Sequence, residues 1–99
     1  RLHLVIGFVA DKDLDHILGL FGSLPADTIF YITQASVPRA MDRHSLSERF
    51  SKANPGFTTE LCPTPADAFA LAKKRASADD IIFVGGSTFV VADFLASRS

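Results

Sequence analysis

At 99 residues, 47% hydrophobic and 21% charged, the sequence has the size and balance of one soluble globular domain with a single modest core. Ten Lys and Arg against eleven Asp and Glu, a net charge of -1, leave no basic footprint for nucleic acid. No apolar run approaches the roughly 20 residues that span a bilayer, so no membrane partner is expected.

Residues 2–9 (LHLVIGFV) read as a first strand, with Val5, Ile6, Phe8 and Val9 suited to burial on both faces. His3 falls at its edge, where a solvated imidazole is expected. Asp11, Lys12 and Asp13 follow, and either aspartate can cap the helix that begins there. Leu14, Ile17, Leu18 and Phe21 recur at i, i+3, i+4 and i+7, Gly22 ends this helix, and His16 falls on its solvent side. Pro25, Ala26 and Asp27 turn the chain into a second strand, 28–33 (TIFYIT). Residues 34–42 (QASVPRAMD) form a loop that Pro38 holds extended by disfavouring helical backbone at Val37. Ser45 and Glu48 stand in capping-box spacing, and Leu46, Phe50 and Ala53 give the inner face of a short helix ended by Asn54, Pro55 and Gly56.

Residues 57–61 (FTTEL) form a weaker third strand, placed near a sheet edge by its threonines and Glu60. Thr64, Pro65 and Asp67 start a third helix over 66–76, whose Lys73, Lys74 and Arg75 complement the helix dipole as a solvated basic end. Cys62, the one cysteine, excludes an internal disulfide and fits a reducing compartment; beside Pro63 it reads as a buried, inert thiol. Asp79 and Asp80 lead into 81–84 (IIFV), a fully buried parallel strand by its β-branched content. Gly85 and Gly86 then turn tightly, and Ser87 and Thr88 offer hydroxyls where a last helix, through Leu95, can start.

This alternation of strands and helices predicts an α/β fold: a Rossmann-like, mostly parallel sheet with flanking helices. Ligands of such sheets bind beyond the carboxyl ends of the strands, where three loops meet: 10–13, 34–42 and 85–88. Asp11 and Lys12 suit either helix capping or a ribose, amine or phosphate. Arg39 suits either solvent or a carboxylate gripped by two parallel hydrogen bonds. The Gly85, Gly86, Ser87 turn is neither GxGxxG nor GK[ST], and Ser87 lacks the flanking glycines of a nucleophile elbow, so it reads as a hydrogen-bond donor or cap. A stand-alone nucleotide- or anion-binding module without catalysis, and a purely structural interaction domain, remain open on the residues alone.

The segments VIGFVADKDLDHIL, ITQASVPRAM and DDIIFVGGSTFVVADFL, in this order and spacing, resemble the C-terminal domain of folylpolyglutamate synthase/dihydrofolate synthase, in the Mur ligase superfamily. The resemblance covers nearly the whole chain. It implies a lid over a central P-loop domain of an ATP-dependent ligase that activates a pteroate or folate carboxylate as an acyl phosphate, which the amino group of L-glutamate attacks. It places Asp11 and Lys12 towards the nucleotide, and Arg39, Ser87 and the Gly86 amide around glutamate. The DKD stretch resembles the DRD of muramyl ligases, and Arg39 the arginine of their DNPR loop, although no asparagine precedes Pro38. The P-loop, the Mg2+ ligands and a modified lysine belong to the central domain, so no catalytic or metal-binding residue is expected here. Residues 1–99 are thus expected to be a single domain, a C-terminal fragment that lacks the domain's first strand and helix. It opens on Arg1 with a strand at once, and it is expected not to be secreted, to be cytoplasmic and to be inactive alone.

Overall fold

The computed structural model describes residues 1–9, 14–38, 40–85 and 95, and among residues 1–85 of these, alternating β-branched and aromatic runs with amphipathic helices produce four strands and three α-helices. In chain order these are β1 (Leu2–Ile6), α1 (Leu14–Leu20) running into a 3-10 turn (Phe21–Ser23), β2 (Ile29–Ile32), α2 (Arg43–Ala53), β3 (Thr58–Leu61), α3 (Pro65–Arg75) and β4 (Ile81–Gly85). The strands form one parallel sheet in the order β3-β2-β1-β4. β1 and β2 therefore lie at the centre, as their apolar content requires.

Side chains leave a strand on alternate faces, so each central strand feeds two cores. Leu4 and Ile6 of β1 and Phe30 and Ile32 of β2 meet Leu14 and Leu18 of α1 and Leu46 and Phe50 of α2 on one face. Phe30 anchors this side, its ring 4.5 Å from that of Phe50 and 5.2 Å from that of Phe57. Burying each such side chain contributes about 1.5–3 kcal/mol. On the other face Val5, Ile29, Tyr31 and Cys62 meet Ala68 and Ala72 of α3. Burial pushes the Cys62 thiol up from its ordinary value, in keeping with the expected inert role.

Several sequence expectations hold and others are corrected. His16 is exposed, β3 is an edge strand, and Thr64 caps α3 by accepting from the Asp67 N–H at 3.1 Å. β1 is shorter than expected: Phe8 still enters the core, but Val9 leaves the ladder for an isolated bridge. α2 starts earlier, because Asp42 Oδ2 reaches the Ser45 N–H at 3.1 Å and so takes the capping role assigned to Ser45. Ala53, expected on the inner face of α2, is exposed at its last turn.

Two corrections are larger. β4 is not buried on both faces: it is an edge strand, with Ile81 62% and Phe83 56% exposed. Ile82 and Val84 face α3, while among the described residues α1 and α2 lie over β1 and β2 and do not cover the opposite face of β4. An apolar run of four carries the same composition whether one face is covered or both. His3 is not solvated but fully buried beside Tyr31, its Nε2 bonded to Asp80 Oδ2 at 2.8 Å and its Nδ1 to the Tyr31 hydroxyl at 2.8 Å.

Candidate functional site at the carboxyl rim of the sheet

The strand order locates the site. From β1 the chain steps through β2 to β3 on one side and then returns to place β4 on the other, so the topological switch lies between the carboxyl ends of β1 and β4. Neighbouring crossovers part at such a point and leave a crevice between the loops that follow the two strands. Ile6 pairs with Gly85 there, and the expected Asp11, Lys12, Gly86 and Ser87 follow these two strand ends in sequence. Asp11, Lys12, Arg39, Gly86 and Ser87 all lie outside the described residues, whose backbone supplies the frame on either side of them.

That frame is knit together by hydrogen bonds. Thr33 N–H donates to the Ile6 carbonyl at 2.9 Å and Cys62 N–H to that of Ile32 at 2.8 Å, extending the ladder past the strand ends. Met41 N–H donates to the Phe8 carbonyl at 2.8 Å, and Val9 and Ala40 form an antiparallel bridge. The loop after β1 and the loop after β2 are therefore joined backbone to backbone, two residues before Asp11 and one after Arg39. Within the second loop, Ala40 N–H donates to the Val37 carbonyl at 3.0 Å.

Two residues that the sequence does not single out stand at the start of this loop. Gln34, directly after β2, accepts through Oε1 from the backbone N–H of Arg43 at 2.9 Å and from its Nη1 at 3.2 Å. The only sequence signal for it is a glutamine nine residues before a helix start, which is too weak to single out. Thr33 Oγ1, fully buried at the same rim, has no hydrogen-bond partner among the described residues.

Chemically, the described part of the rim offers positioned backbone and amide groups rather than a reactive centre. Among the described residues no three His, Cys, Asp or Glu side chains converge as metal ligands, so these residues do not by themselves form a divalent-metal site. The surface hollow beside Leu24 and Phe57 is lined by the turns that precede β2 and β3, away from the rim. The His3, Tyr31 and Asp80 cluster sits towards the strand starts, so its role is in the fold.

Comparison with known proteins fits the same frame. No family model matches the chain. A probable bifunctional folylpolyglutamate synthase/dihydropteroate synthase of Haloferax volcanii is 36% identical over 92 residues, 93% of this chain. Among solved structures, E. coli FolC in complex with DHPP and ADP superposes over 100% of the chain with a TM-score of 0.81 and 27% identity. Over 93% of its length the chain is thus similar to one region of a folylpolyglutamate synthase relative. A bifunctional folylpolyglutamate synthase/dihydrofolate synthase from Yersinia pestis, complexed with AMPPNP and Mn ion, shares the fold at a TM-score of 0.79 and 19% identity over 99% of the chain. The chain spans 10% of the Haloferax relative and 23% of the E. coli chain.

Proposed function

We propose that this domain is the C-terminal lid of an ATP-dependent ligase that adds L-glutamate to dihydropteroate or a folate. The observation that carries the reading is the joining of the loops after β1 and β2 at the carboxyl rim, through Val9, Ala40, Phe8 and Met41. It brings the chain on either side of the Asp11, Lys12 and Arg39 positions to one edge of the sheet. The relationship to FolC, whose E. coli member is seen with DHPP and ADP, supports the same placement.

In this reading ATP with Mg2+, bound mainly by a central domain beyond this chain, supplies activation of the folate or pteroate carboxylate as an acyl phosphate. The residues of the lid bind and orient. Asp11 and Lys12 face the nucleotide, while Arg39 grips the glutamate carboxylate and Ser87 and the Gly86 N–H complete the pocket. So held, the glutamate amine attacks the acyl carbon; a C–N bond forms, the C–O bond to phosphate breaks, and the amine loses a proton. Holding the amine against the acyl phosphate converts a bimolecular encounter into an oriented one, and closure of the lid keeps water from hydrolysing the intermediate. Catalysis belongs to the cytoplasm and to the whole enzyme, and residues 1–99 alone are inactive.

The test is glutamate-dependent release of ADP from the whole polypeptide, with dihydropteroate or a folate as acceptor, beside the same assay on residues 1–99. Turnover is expected only from the former. Turnover by residues 1–99 alone, or none from the whole protein with any such acceptor, would overturn the proposal.

A further inference from the structure

We infer that Gln34 and Arg43 form a positioning pair that sets the loop carrying Arg39, an inference that rests on the glutamate-binding role proposed for that arginine. Arg43 is the first residue of α2, and the N–H groups of a first helical turn have no partner inside the helix. Asp42 already supplies the local cap, through Ser45. Gln34 adds a second acceptor from nine positions away, and its one oxygen takes both the Arg43 backbone N–H and the Arg43 guanidinium. Both lone pairs of that oxygen are thereby used. Starting a helix does not require this arrangement, whereas it fixes both ends of the loop against each other.

The interior of the loop is held independently. The Ala40 to Val37 hydrogen bond, the Met41 to Phe8 hydrogen bond and the Val9 bridge to Ala40 pin its far limb to the segment after β1. The described residues on either side of Arg39 therefore belong to a loop closed at its base by the Gln34–Arg43 pair and tied at Ala40 and Met41 to the segment after β1. A guanidinium that must meet a carboxylate with two parallel hydrogen bonds gains from such pre-set backbone, since misplacement by about 1 Å lowers productive binding sharply. Gln34 and Arg43 act through Arg39 rather than on the substrate.

The experiment compares Gln34→Leu, Gln34→Glu, Arg39→Ala and the Gln34→Leu/Arg39→Ala double variant in the whole enzyme, reading KM for glutamate, KM for ATP and Tm. Gln34→Leu removes the shared acceptor and is expected to raise the glutamate KM roughly fivefold, with the ATP KM unchanged. Gln34→Glu keeps an acceptor oxygen for Arg43 and is expected to restore a near-native glutamate KM. The double variant is expected to be no worse for glutamate than Arg39→Ala, because positioning has no further effect once the positioned group is gone. If Gln34→Leu does not fold, Arg43→Met, which keeps the backbone N–H and deletes the guanidinium, takes its place. A fall in Tm with an unchanged glutamate KM, or effects that add in full in the double variant, would overturn the pair's role while leaving Arg39 in the site. An unchanged glutamate KM in Arg39→Ala would instead remove the arginine from the site and the positioning role with it.

Discussion

His3 Nε2 donates a 2.8 Å hydrogen bond to Asp80 Oδ2, across 77 positions of chain, and so fastens the first strand to the residue just before the last. The Ser77 N–H, at 3.0 Å from the same oxygen, and then the His3 contact hold the Asp80 carboxyl well below the usual carboxylate range. An ionised carboxylate only accepts, so Nε2 carries a proton. With a neutral ring, Nδ1 accepts from the Tyr31 hydroxyl, whose own pKa is pushed up by burial. The Arg75 charge opposes that rise, and Arg75 pairs with Glu60 at 2.8 Å. These hydrogen bonds tie the residue before β4 to β1 and β2, and α3 to β3, on one face of the sheet.

The expected consequence is a defined acid sensitivity. A carboxyl whose folded pKa is depressed contributes stability that is present above its unfolded value, about 3.9, and is lost as pH falls towards the folded value. Denaturant midpoints should therefore decline below about pH 4, and Asp80→Asn should remove part of that slope while lowering stability at neutral pH. His3→Ala, which leaves the buried Tyr31 hydroxyl without its partner, should cost about 1–3 kcal/mol at pH 7. An Asp80→Asn protein with the native acid slope would show that the carboxylate does not carry it.

His3 also marks how far the residues alone could lead. Strand and helix order, the parallel sheet and the edge position of β3 follow from local periodicity, and all of these were legible. The partners of His3 lie 28 and 77 residues away, and only the register between strands brings them together. β4 reads as buried because composition records apolar character, not which helix lies above it. Ser45 reads as a cap because S-x-x-E spacing is present, whereas Asp42, three residues earlier, is the side chain that reaches the free N–H. Asp11, Lys12, Arg39, Gly86 and Ser87 stand out in the sequence by residue type after the strands, and all five lie outside the described residues. The pairing of Gln34 with Arg43 does not stand out, since it depends on a loop folding back on its own start.

The cap is open to a direct comparison. Asp42→Ala deprives α2 of its acceptor and should destabilise the domain by about 1 kcal/mol, whereas Ser45→Ala, whose backbone N–H is retained, should change stability by only a few tenths. Paired urea titrations read the difference. Equal losses in the two variants would mean that the Ser45 hydroxyl shares the capping role.

Asn54 joins two helices by a single side chain. Its Nδ2 donates to the Leu18 carbonyl at 2.8 Å, satisfying one of the last carbonyls of α1, while its own N–H closes the end of α2 on Phe50. Asn54→Ala should cost about 1–3 kcal/mol, because the Leu18 carbonyl is left buried without a donor. Asn54→Asp should fare no better, since an ionised carboxylate has no N–H to give and faces a carbonyl oxygen. A Cβ at Gly22 would lie 3.1 Å from Asn54 Oδ1, so Gly22→Ala should produce a smaller loss through the same contact. Thermal unfolding of the three variants orders them, and a fully stable Asn54→Asp would remove hydrogen-bond donation from the account.

Arg39 distinguishes charge from shape at the proposed glutamate pocket. A guanidinium presents a planar fork that meets a carboxylate with two parallel bonds, whereas an ammonium of equal charge acts as a point. Arg39→Ala should remove about 2 kcal/mol of binding or more, a rise of roughly 30-fold in the glutamate KM, with ATP binding largely intact. Arg39→Lys should recover only part of that loss, because the charge returns without the geometry, and the recovered part should weaken with added salt. Steady-state kinetics of the whole enzyme at two ionic strengths supply the measurement. Full recovery by lysine would mean that Arg39 serves as a positive charge near the pocket and not as a bidentate grip, and the loop's fixed geometry would then matter little to glutamate.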